Sequence, residues 1–187
     1  GFLAPKLKSN SLLGNQVVLP YFKTLGTSSD LTVSPHLTLR QSNEDVPSNN
    51  TLEAKYRTVF HSGHMELNGA ISHDNLHDKT MRGYLFSNGN INLQSGYEIN
   101  FETQLSSDDT YLGTYKFLSE NRKTFKDDVI FFGKDRLNNH INITKEEQGQ
   151  SLHFTYEHFN PLLKPDYNYE TANSKLNFHW LKSIASD

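Results

Sequence analysis

Apolar and polar residues alternate along most of this chain. Leu31, Val33, Leu37 and Leu39 alternate with Thr32, Ser34, His36, Thr38 and Arg40, and Leu52, Ala54, Tyr56 and Phe60 with Glu53, Lys55 and Arg57. Met65, Leu67 and Ile71 face Glu66, Asn68 and Ser72 in the pattern, and Tyr97, Ile99, Phe101 and Leu105 face Glu98, Asn100, Glu102 and Gln104. The same period returns in Ile141 and Ile143, in Leu152, Phe154 and Tyr156, and in Leu176, Phe178 and Trp180. A period of two puts the apolar residues on one face of a strand and the polar residues on the other. The pattern predicts about ten half-buried strands. No stretch has the i, i+3, i+4, i+7 spacing and cap of a helix. Short turn-like separators at 62–64, 87–90, 94–97 and 146–150 join the strands, with longer polar breaks at 40–50 and 160–170. The expected fold is all-β, an antiparallel meander.

Two meanders fit this pattern. A soluble sandwich buries the apolar face against a second sheet. A transmembrane barrel turns that face to lipid and the charged face to a wet lumen. Residues 30–41, 51–61 and 96–106 reach the about 9–11 residues with which a tilted strand crosses a bilayer. Long strands with charged inner faces lean toward a wide barrel.

Composition narrows the partners more than the fold. The 187 residues hold 18 basic and 21 acidic side chains, a balance that gives no electrostatic case for nucleic acid. The absence of cysteine excludes disulfides and cysteine-ligated metal within this chain. Apolar runs are short, as in "VVLPYF", too short for a membrane-crossing helix. The opening "GFLAPKL" reads as the start of a segment within a longer precursor.

Two prolines interrupt the pattern. Pro20 and Pro35 lie inside adjacent predicted strands, where proline cannot donate to a ladder. A turn centred on Thr27–Ser28 would set Pro20 opposite Pro35 and remove ladder bonds at one level of one hairpin. Each such bond is worth roughly 0.5–1.5 kcal/mol in water. The expectation is a weak first strand, and in a barrel a weak seam between the first strand and the last.

Several stretches resemble a known family. "GFLAP" (1–5), "PYF" followed by "DLTVSP" (20–22, 30–35), "RGYLFSNGNINL" (82–93), "SDDTYLGTYKF" (107–117) and "LLKPDYNYE" (162–170) occur in order. Together they resemble the lipopolysaccharide-assembly outer-membrane proteins of the LptD, or organic solvent tolerance, family, particularly its alphaproteobacterial branch. The resemblance implies that residues 1–187 form the N-terminal part of a large transmembrane β-barrel, with the family's jelly-roll domain and closing strands absent. It implies no enzymatic activity and no cofactor. The implied function is transport of lipopolysaccharide and its insertion into the outer leaflet of the outer membrane of a Gram-negative cell. Pro20 and Pro35 then correspond to the family's lateral gate, and Tyr21 and Phe22 become candidate lipid contacts. The implied partners are lipopolysaccharide, an LptE-type lipoprotein plug and an LptA-type periplasmic bridge protein. Two departures stand out: "KTLGTSS" (23–29) replaces the family's usual turn, and the family's cysteines have no counterpart. The alternatives are a soluble β-sandwich that binds carbohydrate and a porin-like barrel without a lateral gate.

Other constellations point to ordinary structure. His73 and His77 have i, i+4 spacing, but their surroundings lack helical periodicity, so a solvated loop is expected rather than a metal site. Asp108 and Asp109 are expected to make local backbone bonds at a strand end, because neighbours on a strand point to opposite faces. His36, His153, His158 and His179 are expected on polar faces. Tyr21, Phe22, Tyr84, Phe86, Tyr97, Phe101, Tyr111, Tyr115 and Phe117 could form the aromatic girdles that border a membrane.

Overall fold

The computed structural model describes residues 1–10, 12–39, 49–74, 81–115, 136–147, 149–162 and 174–182. It contains β1 (Lys6–Asn10), β2 (Gly14–Val18), β3 (Tyr21–Thr24), β4 (Ser29–Thr38), β5 (Thr51–Phe60), β6 (Gly63–His73), β7 (Met81–Asn92), β8 (Tyr97–Ser106), one short helix α1 (Tyr111–Tyr115), β9 (Arg136–Glu147), β10 (Gln150–Pro161) and β11 (Ser174–Lys182). The 11 strands form one antiparallel sheet in meander order, with β2 and β3 both paired to β4. Among the described residues the sheet is not closed, with β1 and β11 as its edges.

The registers carry one face through the whole sheet. Leu37 pairs with Val17, Pro35 with Leu52, Leu52 with Ile71, and Leu67 with Ser87. Farther along, Leu85 pairs with Leu105, Phe101 with Ile141, Ile143 with Phe154, and Phe154 with Phe178. Directly paired residues share a side, so these pairs draw a single apolar belt. Among the described residues no element packs over that belt. Leu37, Leu52, Ile71, Leu85, Leu105, Ile141, Tyr156, Phe178 and Trp180 are all exposed. The opposite face is polar, and there Gln16, His36, Thr51, Asn68, Ser72, Arg82 and Gln104 are buried. Burial is thus inverted relative to a water-soluble half-sheet, where apolar residues go in and polar residues out.

Strand lengths follow the expectation closely. β4 through β10 run 10 to 12 residues each. The predicted strand at 30–41 ends at Thr38, and residues 40–48 lie outside the described set. Short turns close one end of the sheet, at 25–28, 61–62 and 93–96, while the connections after β4, β6, β8 and β10 at the other end are longer.

The first hairpin corrects the sequence reading twice. Its turn holds three residues, Gly26–Ser28, closed by the Leu25 N–H donating to the Ser29 carbonyl at 2.8 Å. Gly26 sits at φ 82°, a left-handed conformation that glycine adopts without steric cost. Tyr21 therefore pairs with Val33 and Phe22 with Thr32, which puts Pro20 opposite Ser34 and not opposite Pro35. A turn one residue different moves every partner by one. In addition, the proline-bearing strand is not at the sheet's edge: β1 pairs along β2, from Lys6 with Val18 to Asn10 with Gly14.

Candidate functional site

Pro20 and Pro35 each remove a bond, but from different ladders. The Leu19 N–H donates to the Pro35 carbonyl at 3.1 Å, and the reciprocal bond to the Leu19 carbonyl cannot form because Pro35 has no N–H. On the other side of the strand, the Leu3 N–H donates to the Pro20 carbonyl at 2.8 Å. There Pro20 cannot return a bond to Leu3. Pro35 thus weakens the contact with β4, and Pro20 weakens the contact with the chain's first residues. Both losses fall at the gap between β2 and β3, where Leu19 and Pro20 belong to neither strand.

That outer neighbour is itself broken. Residues 1–3 lie along Pro20–Phe22: the Phe22 N–H donates to the Gly1 carbonyl at 2.8 Å, the Gly1 nitrogen donates to the Phe22 carbonyl, and Phe2 bridges Tyr21. Pairing then lapses over Ala4 and Pro5 before β1 begins. A third proline, Pro5, thus stands beside the same gap, a coincidence of level that becomes visible only with the register.

Tyr21 and Phe22 part company. Tyr21 pairs with Val33 on the apolar face, is 40% exposed, and meets the Phe2 ring edge-on at 5.1 Å. Phe22 pairs with Thr32 and lies on the polar face. Of the two candidate lipid contacts, the register gives the apolar surface to Tyr21 alone.

Beneath the sheet, the polar face is cross-linked by side chains. His36 Nε2 lies 3.1 Å from Glu53 Oε2, and the Tyr84 hydroxyl lies 3.1 Å from both Glu53 Oε1 and Asn68 Oδ1, within reach of donating its one proton to either. Toward the short turns, Asn90 Nδ2 donates to Asn100 Oδ1 at 2.7 Å and to Glu98 Oε1 at 2.9 Å. His153 and His179 also lie on this face, their rings 6.5 Å apart. His158 differs from expectation, since its register with Asn139 puts it at the margin of the belt side. His73 is exposed at the end of β6, and His77 lies outside the described residues. Among the described residues no group of His, Asp and Glu has the proximity to hold a metal ion.

The strongest cluster is one that sequence reading missed. Arg82, with a side chain 0% exposed, donates through Nε to Asp108 Oδ2 at 2.8 Å and through Nη2 to Asp108 Oδ1 at 2.6 Å. Its Nη1 donates to Asp74 Oδ2 at 2.5 Å, and Nη2 also reaches Thr110 Oγ1 at 2.7 Å. Asp108 in turn accepts the N–H groups of Thr110 and Tyr111, which fixes the entry to α1. The expected local backbone bonds of Asp108 are there, with a buried arginine added. Burial opposes the charge of Asp108, but the bonds from Arg82, Thr110 and Ser107 prevail and hold its carboxyl well below the usual carboxylate range.

α1 packs on the polar side of β7. Tyr111, Leu112 and Tyr115 are buried with Tyr84, Phe86, Ala70, Leu13 and Leu137. The Tyr111 hydroxyl lies 2.6 Å from Ser72 Oγ, and burial pushes the Tyr115 hydroxyl up to about 12. Tyr84, Phe86, Tyr111 and Tyr115 therefore belong to an interior cluster and not to a membrane girdle. Tyr97 and Phe101 do lie on the apolar face, where Phe101 covers Gly89. Phe117 is outside the described residues.

The two stretches that meet here, 82–93 and 107–117, are two of those that carry the family resemblance. In comparisons with known proteins, no family model matches the chain and no curated protein matches it.

Proposed function

We propose that this chain forms part of an outer-membrane β-barrel that delivers lipopolysaccharide to the outer leaflet through a seam at its proline-bearing strand. The observation that carries the reading is the inverted burial. A continuous apolar belt lies exposed on one side of the sheet, and on the other lies a hydrogen-bonded polar face on which Gln16, His36, Asn68, Arg82 and Gln104 are buried. In water the belt would be a very large exposed patch, and in lipid it is the ordinary exterior of a barrel. Strands of 10 to 12 residues match the bilayer's needs. Bilayer insertion also requires closure, because an open edge leaves backbone groups unpaired in hydrocarbon. Strands beyond β1 and β11 complete the wall on this reading.

The substrate class rests on the motifs that resemble the LptD family, and the seam gives it a physical route. The hydrated sugars travel on the polar face. Acyl chains leave sideways, because exposing them to a wet lumen costs about 0.8 kcal/mol per CH₂. The line of least ladder bonding runs beside Pro20. LptE-type and LptA-type proteins remain the partners implied, and the chain acts as a conduit rather than an enzyme.

The test is photocrosslinking in cells from the full-length protein, with the reactive residue at Tyr21 and, separately, at Phe22. A lipopolysaccharide adduct at Tyr21 is expected. A protein that reaches the outer membrane and gives no adduct at either position refutes the seam as an exit. A protein found soluble refutes the barrel.

A further inference from the structure

We propose that α1 is a constriction held inside the barrel, seated on Tyr84 and Phe86 and pinned there by Arg82 between Asp74 and Asp108. The proposal rests on the barrel reading, since it needs a lumen to narrow, but not on the prolines or the seam beside them.

Most inner positions of nearby strands are polar: Glu53, Lys55 and Arg57 on β5, Glu66, Asn68 and Ser72 on β6, where Ala70 faces Tyr84, and Glu98, Asn100, Glu102 and Gln104 on β8. On β7 the inner positions 84 and 86 are instead Tyr and Phe, both buried. An apolar island facing a wet channel needs a cover, and α1 supplies it. The Tyr111 ring centre lies 6.5 Å from that of Tyr84, and the Tyr115 ring 4.6 Å from that of Tyr111.

A helix of five residues does not hold itself together. Its place is set by its anchors, and the charged anchor is Arg82. One guanidinium ties the segment after β6, through Asp74, and the segment before α1, through Asp108 and Thr110, to the inner face of β7. The Arg82 guanidinium also lies over the Tyr111 ring, 5.3 Å from its centre. The Tyr111 hydroxyl reaches across to Ser72 on β6, which itself bonds Thr51 on β5 at 2.7 Å. α1 is thereby fastened to three consecutive strands from the inside. Connections between barrel strands are free to extend away from the barrel, and the described start of this one, up to Tyr115, turns inward.

The experiment is conductance of the full-length protein in planar lipid bilayers, for the natural sequence, Arg82→Gln and Leu112→Ser. Leu112 is buried in the α1 seat and bears no part of the ion cluster, so Leu112→Ser loosens the helix while leaving Arg82 and its partners in place. The natural protein is expected to insert and conduct in small steps, and both variants to insert with a severalfold larger step. Should Arg82→Gln fail to assemble, Leu112→Ser decides alone. Insertion with an unchanged step in Leu112→Ser overturns the constriction and leaves the barrel reading standing. Failure of the natural protein to insert, where a known barrel does so, overturns the barrel reading and the constriction with it.

Discussion

Two parts of one sheet are built on opposite terms. Around Pro20 and Pro35 the backbone forgoes ladder bonds: β2 and β3 are separate strands of 5 and 4 residues, and their outer neighbour is interrupted as well. Around β6, β7 and β8 the ladders are continuous over 9 to 11 pairs, and side chains reinforce them through Arg82 and α1. The sequence difference is small: Pro35 in β4 and Pro20 in the gap between β2 and β3 on one side, an arginine and two tyrosines on the other. The physical difference is large. Stability is therefore spread unevenly along the sheet, lowest beside the prolines and highest in its middle strands.

The contrast predicts a ranking of effects. Arg82→Ala should be the most damaging, because it strands Asp74 and Asp108 without their cation. Breaking one partner of a buried pair costs about 3–5 kcal/mol. Denaturant unfolding of the full-length protein in lipid should register it, with Arg82→Lys intermediate because an ammonium lacks the fork that reaches both carboxylates. Next comes Leu85→Arg on the belt, where Leu85 is 47% exposed. If the belt faces hydrocarbon, that change costs about 2–4 kcal/mol in lipid-based unfolding. In a belt bathed by water it would cost nothing, so this variant also separates barrel from soluble domain.

Pro20→Val and Pro35→Val should go the other way. Each restores an N–H opposite a waiting carbonyl, Leu3 for Pro20 and Leu19 for Pro35, and should stabilise by roughly 0.5–1.5 kcal/mol. The same variants should reduce lipopolysaccharide delivery, scored by sensitivity to hydrophobic antibiotics. Unchanged delivery at raised stability would leave the prolines as a structural kink and restore the porin-like alternative. The smallest effect concerns pH. Asp108 titrates below the ordinary carboxylate range when folded, so its pairing stabilises fully above that range and fades as pH falls through it. The stability gap between the natural protein and Asp108→Asn should stay constant from neutrality to about pH 4 and shrink below that.

Much of this was written in the alternation. Leu52, Ala54 and Tyr56 against Glu53, Lys55 and Arg57 defines two faces without ambiguity, because every residue of an antiparallel strand votes on the side it occupies. Register was not legible, since it hung on whether the first turn held two residues or three, and "LGTSS" permits either. β1 escaped notice because "KLKSN" carries only one apolar residue. α1 escaped because five residues show no helical period. Two signals did mark its seat. Tyr84, Leu85 and Phe86 break the alternation with three apolar residues in a row, which puts apolar side chains on the inner face as well as on the belt. Asp108 three residues before Tyr111 is a helix-capping position. The pairing of the two motifs through Arg82 is long-range, and no local pattern encodes it.

The central claim is that the apolar face meets lipid and the polar face meets water. Residues 1–187 hold no cysteine, so single cysteines can be introduced along β5 at 52 through 57, in full-length protein with any other cysteine replaced, and labelled in the assembled, membrane-embedded state with a hydrophilic maleimide. The account predicts labelling at Glu53, Lys55 and Arg57 and protection at Leu52, Ala54 and Tyr56. Equal labelling of both sets, or labelling of the apolar set alone, would contradict it.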